Sequence, residues 1–229
     1  TTIRAELSKH GKVVAQGAEQ VFVVNNSPVA HHSVYVADSA GRMERMLQKA
    51  HIPCQNIKIK DIISRMGTLV VGGKLQPGII GGNFRQDDPL IEWVSRGGKL
   101  VILDNASEWC AYLEQKEVAD YRGSRLIGRD WFGGNFFVKN HALFNGLPQA
   151  TAFNWEYQCF ASYNRHREGL RLENGECVVG CYADHKNELF SALTILPVGK
   201  GHIIISSLDF MKAVDNPVCV KLLNNIIAF

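Results

Sequence analysis

The apolar positions of this chain fall into short runs separated by Gly, Pro and Asx turns, and the period of the pattern changes once. In the first two dozen residues the period is two. Ile3, Ala5 and Leu7 are interleaved with Arg4, Glu6 and Ser8, which predicts a strand with one apolar face. His10-Gly11-Lys12 turns the chain, Val13-Val14-Ala15 returns it, Gly17-Ala18 interrupts it, and Val21-Phe22-Val23-Val24 makes a third apolar run. Three strands this short do not bury their own faces in water. Residues 1–28 therefore read either as the terminal strands of an upstream β-sandwich or as a small meander packed on the main body.

Asn25-Asn26-Ser27-Pro28 is turn-forming chemistry and marks a boundary. From Ser33 the pattern becomes strand–helix alternation. Val34 to Ala37 predicts a strand, and Arg42 to Ala50 a helix with Met43, Met46 and Leu47 on one face. Ile57 to Arg65 is mixed and predicts a short helix capped by Asp61. Thr68 to Val71 is a strand ending in Gly72-Gly73. Asp88 as N-cap and Pro89 at the first position start a helix that Arg96-Gly97-Gly98 ends. Lys99 to Leu103 is the next strand, and Ser107 caps a helix running to Glu114.

Residues 121–175 are rich in Gly, Asn and aromatics without a clear period, and predict loops and edge strands. The end of the chain is the most regular part. Ala192 to Leu196 and His202 to Ser206 flank a Pro-Val-Gly-Lys-Gly turn. Pro217 then opens a helix whose Val218, Leu222, Leu223, Ile226 and Ile227 share one stripe. The expected fold is α/β over residues 33–229, a mostly parallel open sheet flanked by helices with flavodoxin-like layering, preceded by a few antiparallel strands. Loops at the carboxyl ends of such strands are where a site is sought.

Composition narrows the function. With 25 Lys and Arg against 22 Asp and Glu the net charge is +3, and no run of basic residues exceeds two. Nucleic-acid binding needs a concentrated basic patch, so no nucleic-acid partner is expected. No stretch approaches the ~20 apolar residues of a membrane span, and no membrane partner is expected. The first residues lack the apolar core of a signal peptide. Of the six cysteines, Cys177 and Cys181 flank a strand and so stand roughly 13 Å apart, beyond disulfide reach. No CxxC or CxxH spacing is present, so neither a metal site nor a cofactor is expected.

Three segments carry a family resemblance. Leu90-Ile91-Glu92-Trp93-Val94-Ser95-Arg96-Gly97-Gly98-Lys99-Leu100-Val101 is similar to a helix-to-strand segment of class I glutamine-amidotransferase-like domains. Asn140-His141-Ala142-Leu143-Phe144-Asn145-Gly146-Leu147-Pro148 resembles a loop that recurs in such domains, and Gly199-Lys200-Gly201-His202-Ile203-Ile204-Ile205-Ser206-Ser207-Leu208-Asp209 resembles their closing hairpin. Gly11 to Gly17 and Val21 to Val24 resemble the ending of the Ig-like sandwich domains of glycoside hydrolase family 2. The resemblance implies a carboxyl-terminal region of a β-galactosidase-like glycosidase. Its partners would be upstream glycosidase domains of the same polypeptide, a carbohydrate, or a second copy in a homo-oligomer. It favours a periplasmic or extracellular location over a cytoplasmic one.

An active amidotransferase needs a nucleophilic Cys on the turn after a strand, with a His–Glu pair further on. The turn after Lys99 to Leu103 reads Asp104-Asn105-Ala106-Ser107, with no thiol. Cys110 falls a helical turn later and reads as a buried helical thiol. The closing strand ends in Ser206-Ser207-Leu208-Asp209, and His202 begins that strand, exposed at the turn. No catalytic residue is therefore expected in this chain. In the glycosidase family the catalytic carboxylates belong to a separate barrel of about 250 residues, for which 229 residues leave no room.

The expected role is an accessory domain. Candidate ligand-binding residues are Asn105, Trp131, Trp155, Glu156 and Asp209. Glu156 is flanked by aromatic rings able to stack on sugars, but Asn154 to Tyr157 also reads as an edge strand with Trp155 and Tyr157 inward and Glu156 solvated. Two further readings stay open: a carbohydrate-binding module at the strand ends, and a stand-alone enzyme of the trehalose-utilisation type.

Overall fold

A computed structural model describes residues 1–26, 33–73, 88–127, 136–160, 167–183 and 188–229. Its strands are β1 (Thr2–Lys9), β2 (Lys12–Gln20), β3 (Val34–Ala37), β4 (Gln55–Asn56), β5 (Thr68–Val71), β6 (Lys99–Ile102), β7 (Tyr121–Ile127), β8 (Phe136–Val138), β9 (Thr151–Ala152), β10 (Arg167–Leu172), β11 (Glu176–Ala183), β12 (Glu188–Val198) and β13 (Gly201–Ser206). The α-helices are α1 (Arg42–Lys49), α2 (Pro89–Ser95), α3 (Ala106–Gln115), α4 (Phe210–Ala213) and α5 (Pro217–Ala228). Strands β3 to β13 form one sheet, while β1 and β2 form a separate antiparallel ribbon.

The order β4-β3-β5-β6-β13 is parallel throughout, the 2-1-3-4-5 order of a flavodoxin-like sheet. Successive residues of these strands point to opposite faces, and both faces are buried. Val70, Val101 and Ile204 join α1, α4 and α5 in one core. Leu69, Val71, Leu100, Ile102, Ile203 and Ile205 join α2 and α3 in the other. This explains the continuous apolar runs: a strand covered on both sides has no solvent face to keep polar. The protein is thus an α/β fold of three layers, as its sequence pattern predicts.

Beyond β13 the sheet continues antiparallel through β12, β11, β8 and β9. Strand β12, 11 residues long, outlasts β13. Its ladder with β13 runs from Leu193 to Val198, and past that point Ser191 pairs with Leu170 of β10. Strand β10 in turn pairs with β7. These strands account for the aperiodic stretch predicted as loops and edge strands.

Capping follows the sequence closely at α2 and α5. Asp88, fully buried, accepts from Leu90 N and Ile91 N, and Asn216 accepts from Val218 N ahead of Pro217. Buried Asp88 also accepts from the Tyr112 hydroxyl and lies 3.5 Å from Lys116 Nζ. Such a carboxylate needs these donors, because an unpaired buried charge is strongly destabilising.

Several local expectations are corrected. Helix α3 begins at Ala106, so Ser107 lies inside its first turn and Asn105 holds the N-cap position. The short helix near Asp61 is a 3-10 turn over Ile59–Asp61 entered from Lys58. Strand β2 runs unbroken through Gly17, which sits opposite Ala5 in open space. Val21 to Val24 is not a third strand. Val21 exchanges hydrogen bonds with Thr1 at the end of the ribbon, after which Val24 packs against the main core. Nor is Asn154 to Tyr157 an edge strand: Trp155–Phe160 is a 3-10 helix.

Candidate functional site

The crevice of a 2-1-3-4-5 sheet lies at the carboxyl ends of the strands, where the order reverses. Here that point is between β3 and β5. Ala37 pairs with Val71, Val71 with Ile102, and Ile102 with Ile205, so the loops after β3, β5, β6 and β13 leave the sheet at one level. They carry Asp38, Gly72-Gly73, Asp104-Asn105 and Ser207-Leu208-Asp209 respectively.

Asp38 is 5% exposed and faces the start of α1. Its Oδ1 accepts from Ala40 N at 2.9 Å and its Oδ2 from Met43 N at 2.7 Å. A carboxylate is favoured there by the amides and by the helix dipole. Gly72 is needed beside it, because a Cβ would stand 2.3 Å from Met43 Cγ. Asp104 binds the next loop: Oδ2 accepts from Arg42 Nη2 at 2.7 Å and from Gly73 N at 3.1 Å, while Oδ1 accepts from Asn105 N at 3.0 Å.

Asn105 itself adopts φ 50°, ψ 42°, the left-handed conformation that Asn tolerates better than most residues. The strand-to-helix turn thus has a sharp elbow, with an amide side chain at its apex. Ser206 Oγ donates to Ala192 O and accepts from Leu208 N. Ser207 Oγ is buried without a partner among the described residues. Asp209 caps α4, accepting from Lys212 N at 3.3 Å and pairing with Lys212 Nζ at 3.1 Å.

The chemistry of this crest is defined by what its own carboxylates already hold. Four backbone N–H groups around these loops, those of Ala40, Met43, Gly73 and Asn105, are taken by Asp38 and Asp104. Among the described residues, these loops and the start of α1 carry the Arg42 guanidinium, the Asn105 amide, the Ser207 hydroxyl and the carboxylates of Asp38, Asp104 and Asp209, groups able to hydrogen-bond a hydroxyl-rich ligand. No cysteine stands in these four loops. Cys110 is fully buried in α3, and burial pushes its thiol up to about 12, far from the thiolate a nucleophile requires. All six cysteines are free.

Of the residues singled out from sequence, Asn105 and Asp209 rise from the neighbouring strands β6 and β13 onto this crest. Trp155 and Glu156 stand on the 3-10 helix that docks on α4 through Phe160 and Phe210, whose ring centroids are 5.2 Å apart. Trp155 is 81% exposed, whereas Tyr157 is fully buried and its hydroxyl donates to Pro148 O. Glu156 Oε2 is buried without a partner among the described residues. Trp131 lies outside the described residues. Sequence reasoning missed Asp38, Arg42 and Asp104 as members of the crest. A signal existed: Val34 to Ala37 and Leu100 to Leu103 are both apolar runs ended by an Asp.

His202 is at the opposite end of the sheet and is not exposed at its turn. It is half-buried, with its ring edge-on to Phe229 at 5.3 Å and its Nε2 buried without a partner among the described residues. It pairs in register with Lys99, whose Nζ donates to Ile227 O at 2.9 Å. Burial lowers the Lys99 ammonium to about 8. Burial and the Lys99 charge both lower His202.

No protein-family model matches the chain, and no curated protein matches it in sequence. Among solved structures it is similar to an exo-β-1,4-mannosidase from Opitutaceae bacterium strain TAV5, at 11% identity and a TM-score of 0.51 over 87% of this chain and 36% of that one. It is also similar to a β-galactosidase from Bacillus circulans sp. alkalophilus, at 13% identity and 0.47 over 82% and 30%. A cytoplasmic protein from Salmonella typhimurium gives 12% identity and 0.48 over 99% and 94%. These are likenesses of fold, and the chain spans about a third of the length of the two glycosidases.

Proposed function

We propose that this chain is a non-catalytic accessory domain of a glycoside hydrolase, β-galactosidase-like and of the family 2 type that its sequence resembles. On this reading an amidotransferase-like sheet has lost its chemistry and serves oligomerisation, interdomain bracing or the rim of a neighbouring sugar cleft. The observation that carries the reading is the elbow after β6. It has left-handed geometry at Asn105 but presents an amide where a nucleophile would stand. The fold shared with a third of an exo-mannosidase supports the glycosidase context.

The test is an assay of the purified chain with glutamine, simple esters and nitrophenyl galactosides and mannosides. The expected result is no turnover. Turnover abolished by Cys110→Ala would overturn the reading. A second reading, a carbohydrate-binding module, is favoured by Trp155. An indole this exposed beside a half-buried carboxylate offers a stacking face and an acceptor. Calorimetry against galactosides and mannosides separates the two: heat that disappears in Trp155→Ala and Asn105→Ala favours binding, and silence favours bracing.

A further inference from the structure

The β1–β2 ribbon is the part of the molecule least covered by the rest. Every residue of β1 is exposed, including Ile3 at 56% and Leu7 at 64%, and β1 pairs only with β2 among the described strands. Its second edge is therefore an open row of N–H and C=O groups, which is a template for another strand. The direction of those groups can be read from the ladder. Thr1 and Val21 exchange both hydrogen bonds, so the odd residues Ile3, Ala5 and Leu7 point their amides at β2. The even residues Thr2, Arg4, Glu6 and Ser8 then point theirs outward.

This parity limits how two copies of β1 can pair. In an antiparallel ladder the outward residues must face one another, so even positions meet even positions. A register that sets Arg4 against Arg4, or Glu6 against Glu6, juxtaposes like charges and is destabilising. The register between them is centred on Ala5 facing Ala5. It sets Arg4 against Glu6 twice, Ile3 against Leu7 twice and Thr2 against Ser8 twice. The sequence Thr2-Ile3-Arg4-Ala5-Glu6-Leu7-Ser8 is thus complementary to itself about a two-fold axis, charge to countercharge, apolar to apolar and hydroxyl to hydroxyl.

We propose that the free edge of β1 is a homodimerisation surface, pairing antiparallel with β1 of a second copy in the register centred on Ala5. The two ribbons then form a four-stranded sheet, with Ile3, Ala5 and Leu7 of both copies in one apolar stripe. The interface is isologous and closes on itself. It adds main-chain hydrogen bonds for affinity and side-chain pairs for register. Edge pairing of one short strand covers less than the ~1,600 Å² of a standard stable interface, so the dimer forms with rising concentration instead of being obligate. The inference goes beyond the accessory role and does not rest on it, because it uses only the geometry and charges of the ribbon.

Sedimentation velocity of the full chain, from low micromolar to several hundred micromolar, tests it. The unmodified chain is expected to show a monomer–dimer equilibrium that weakens with added salt. Arg4→Glu or Glu6→Arg alone places like charges opposite each other at two symmetric positions and should weaken dimerisation about tenfold. The double exchange Arg4→Glu with Glu6→Arg restores complementarity and should restore the dimer. An equimolar mixture of the two single variants should associate better than either alone. Both sites are exposed, and an unchanged thermal midpoint of the dilute variants verifies folding. A chain that stays monomeric throughout, as when a sheet elsewhere in the same polypeptide covers the ribbon, overturns the proposal. So does a dimer indifferent to the charge changes.

Discussion

At the carboxyl edge of the parallel strands, Asp38 and Asp104 are surrounded by donors: four backbone amides and the Arg42 guanidinium. At the amino edge, Lys99 and His202 are pressed under Phe229 and the last turn of α5, with one carbonyl acceptor for Lys99 and none for His202 Nε2 among the described residues. Both edges bury ionisable groups, yet they treat them differently. The carboxyl edge uses its polar groups to fix loops at one level, which is what a binding crevice needs. At the amino edge solvation is simply lost, and the pKa values fall in response. Buried charge therefore marks a candidate site only where a shell of donors accompanies it.

The largest expected effect lies at the donor-rich edge. Asp38→Ala strands the N–H groups of Ala40 and Met43 and should cost about 2–3 kcal/mol in denaturant unfolding. Asp38→Asn, which keeps an acceptor, should cost less. Equal and small losses for both would erase the distinction between the edges.

The amino edge should respond in the opposite sense. An unfolded lysine titrates near ~10.4, while native Lys99 titrates at about 8. Between those values the unfolded chain holds the proton that the native chain has released. The Lys99 contribution to stability therefore rises with pH across that window and is least favourable below it. Buried thiols such as Cys110 pull the other way over this range, so the test is a difference: the stability of the unmodified chain relative to Lys99→Met, read from melting temperatures, should rise from about pH 7 to about pH 10.5. A difference between the two proteins that does not vary with pH would mean that Lys99 is not desolvated.

The smallest effect belongs to His202→Phe, which removes a buried ring nitrogen lacking a partner among the described residues. Unfolding free energy should be unchanged or rise by up to about 1 kcal/mol. A loss of that size instead would reveal a partner for Nε2 and bring the amino edge closer to the other.

The parallel half of this fold was legible because its signals are local. Asp88-Pro89 and Asn216-Pro217 announce helix starts. Thr68 to Val71 and Ile203 to Ile205 are dense in β-branched residues, the composition that a strand buried on both faces requires. Strands β7 to β10 were not legible, because their partners are distant in sequence and their outer faces are mixed: β7 alternates between buried Tyr121 and Ile127 and exposed Arg122 and Leu126. The crest was half legible. Asn105 and Asp209 follow apolar runs and could be placed by counting, whereas the tie of Asp104 to Arg42 spans 62 residues and exists only once β3 and β6 flank β5. The start of α3 was misplaced for a related reason, since a left-handed elbow, and not a hydroxyl cap, begins that helix.

Strand β12 has a consequence for the molecule as a whole. Among the described strands of the large sheet it alone joins the parallel strands to the antiparallel ones, and it does so through the short ladder from Leu193 to Val198. The ladder lies over a core that spans both parts, Val101 and Ile204 sharing one cluster with Phe136 and Val179, so the two parts unfold together. Its amides should exchange with solvent only when the entire domain opens.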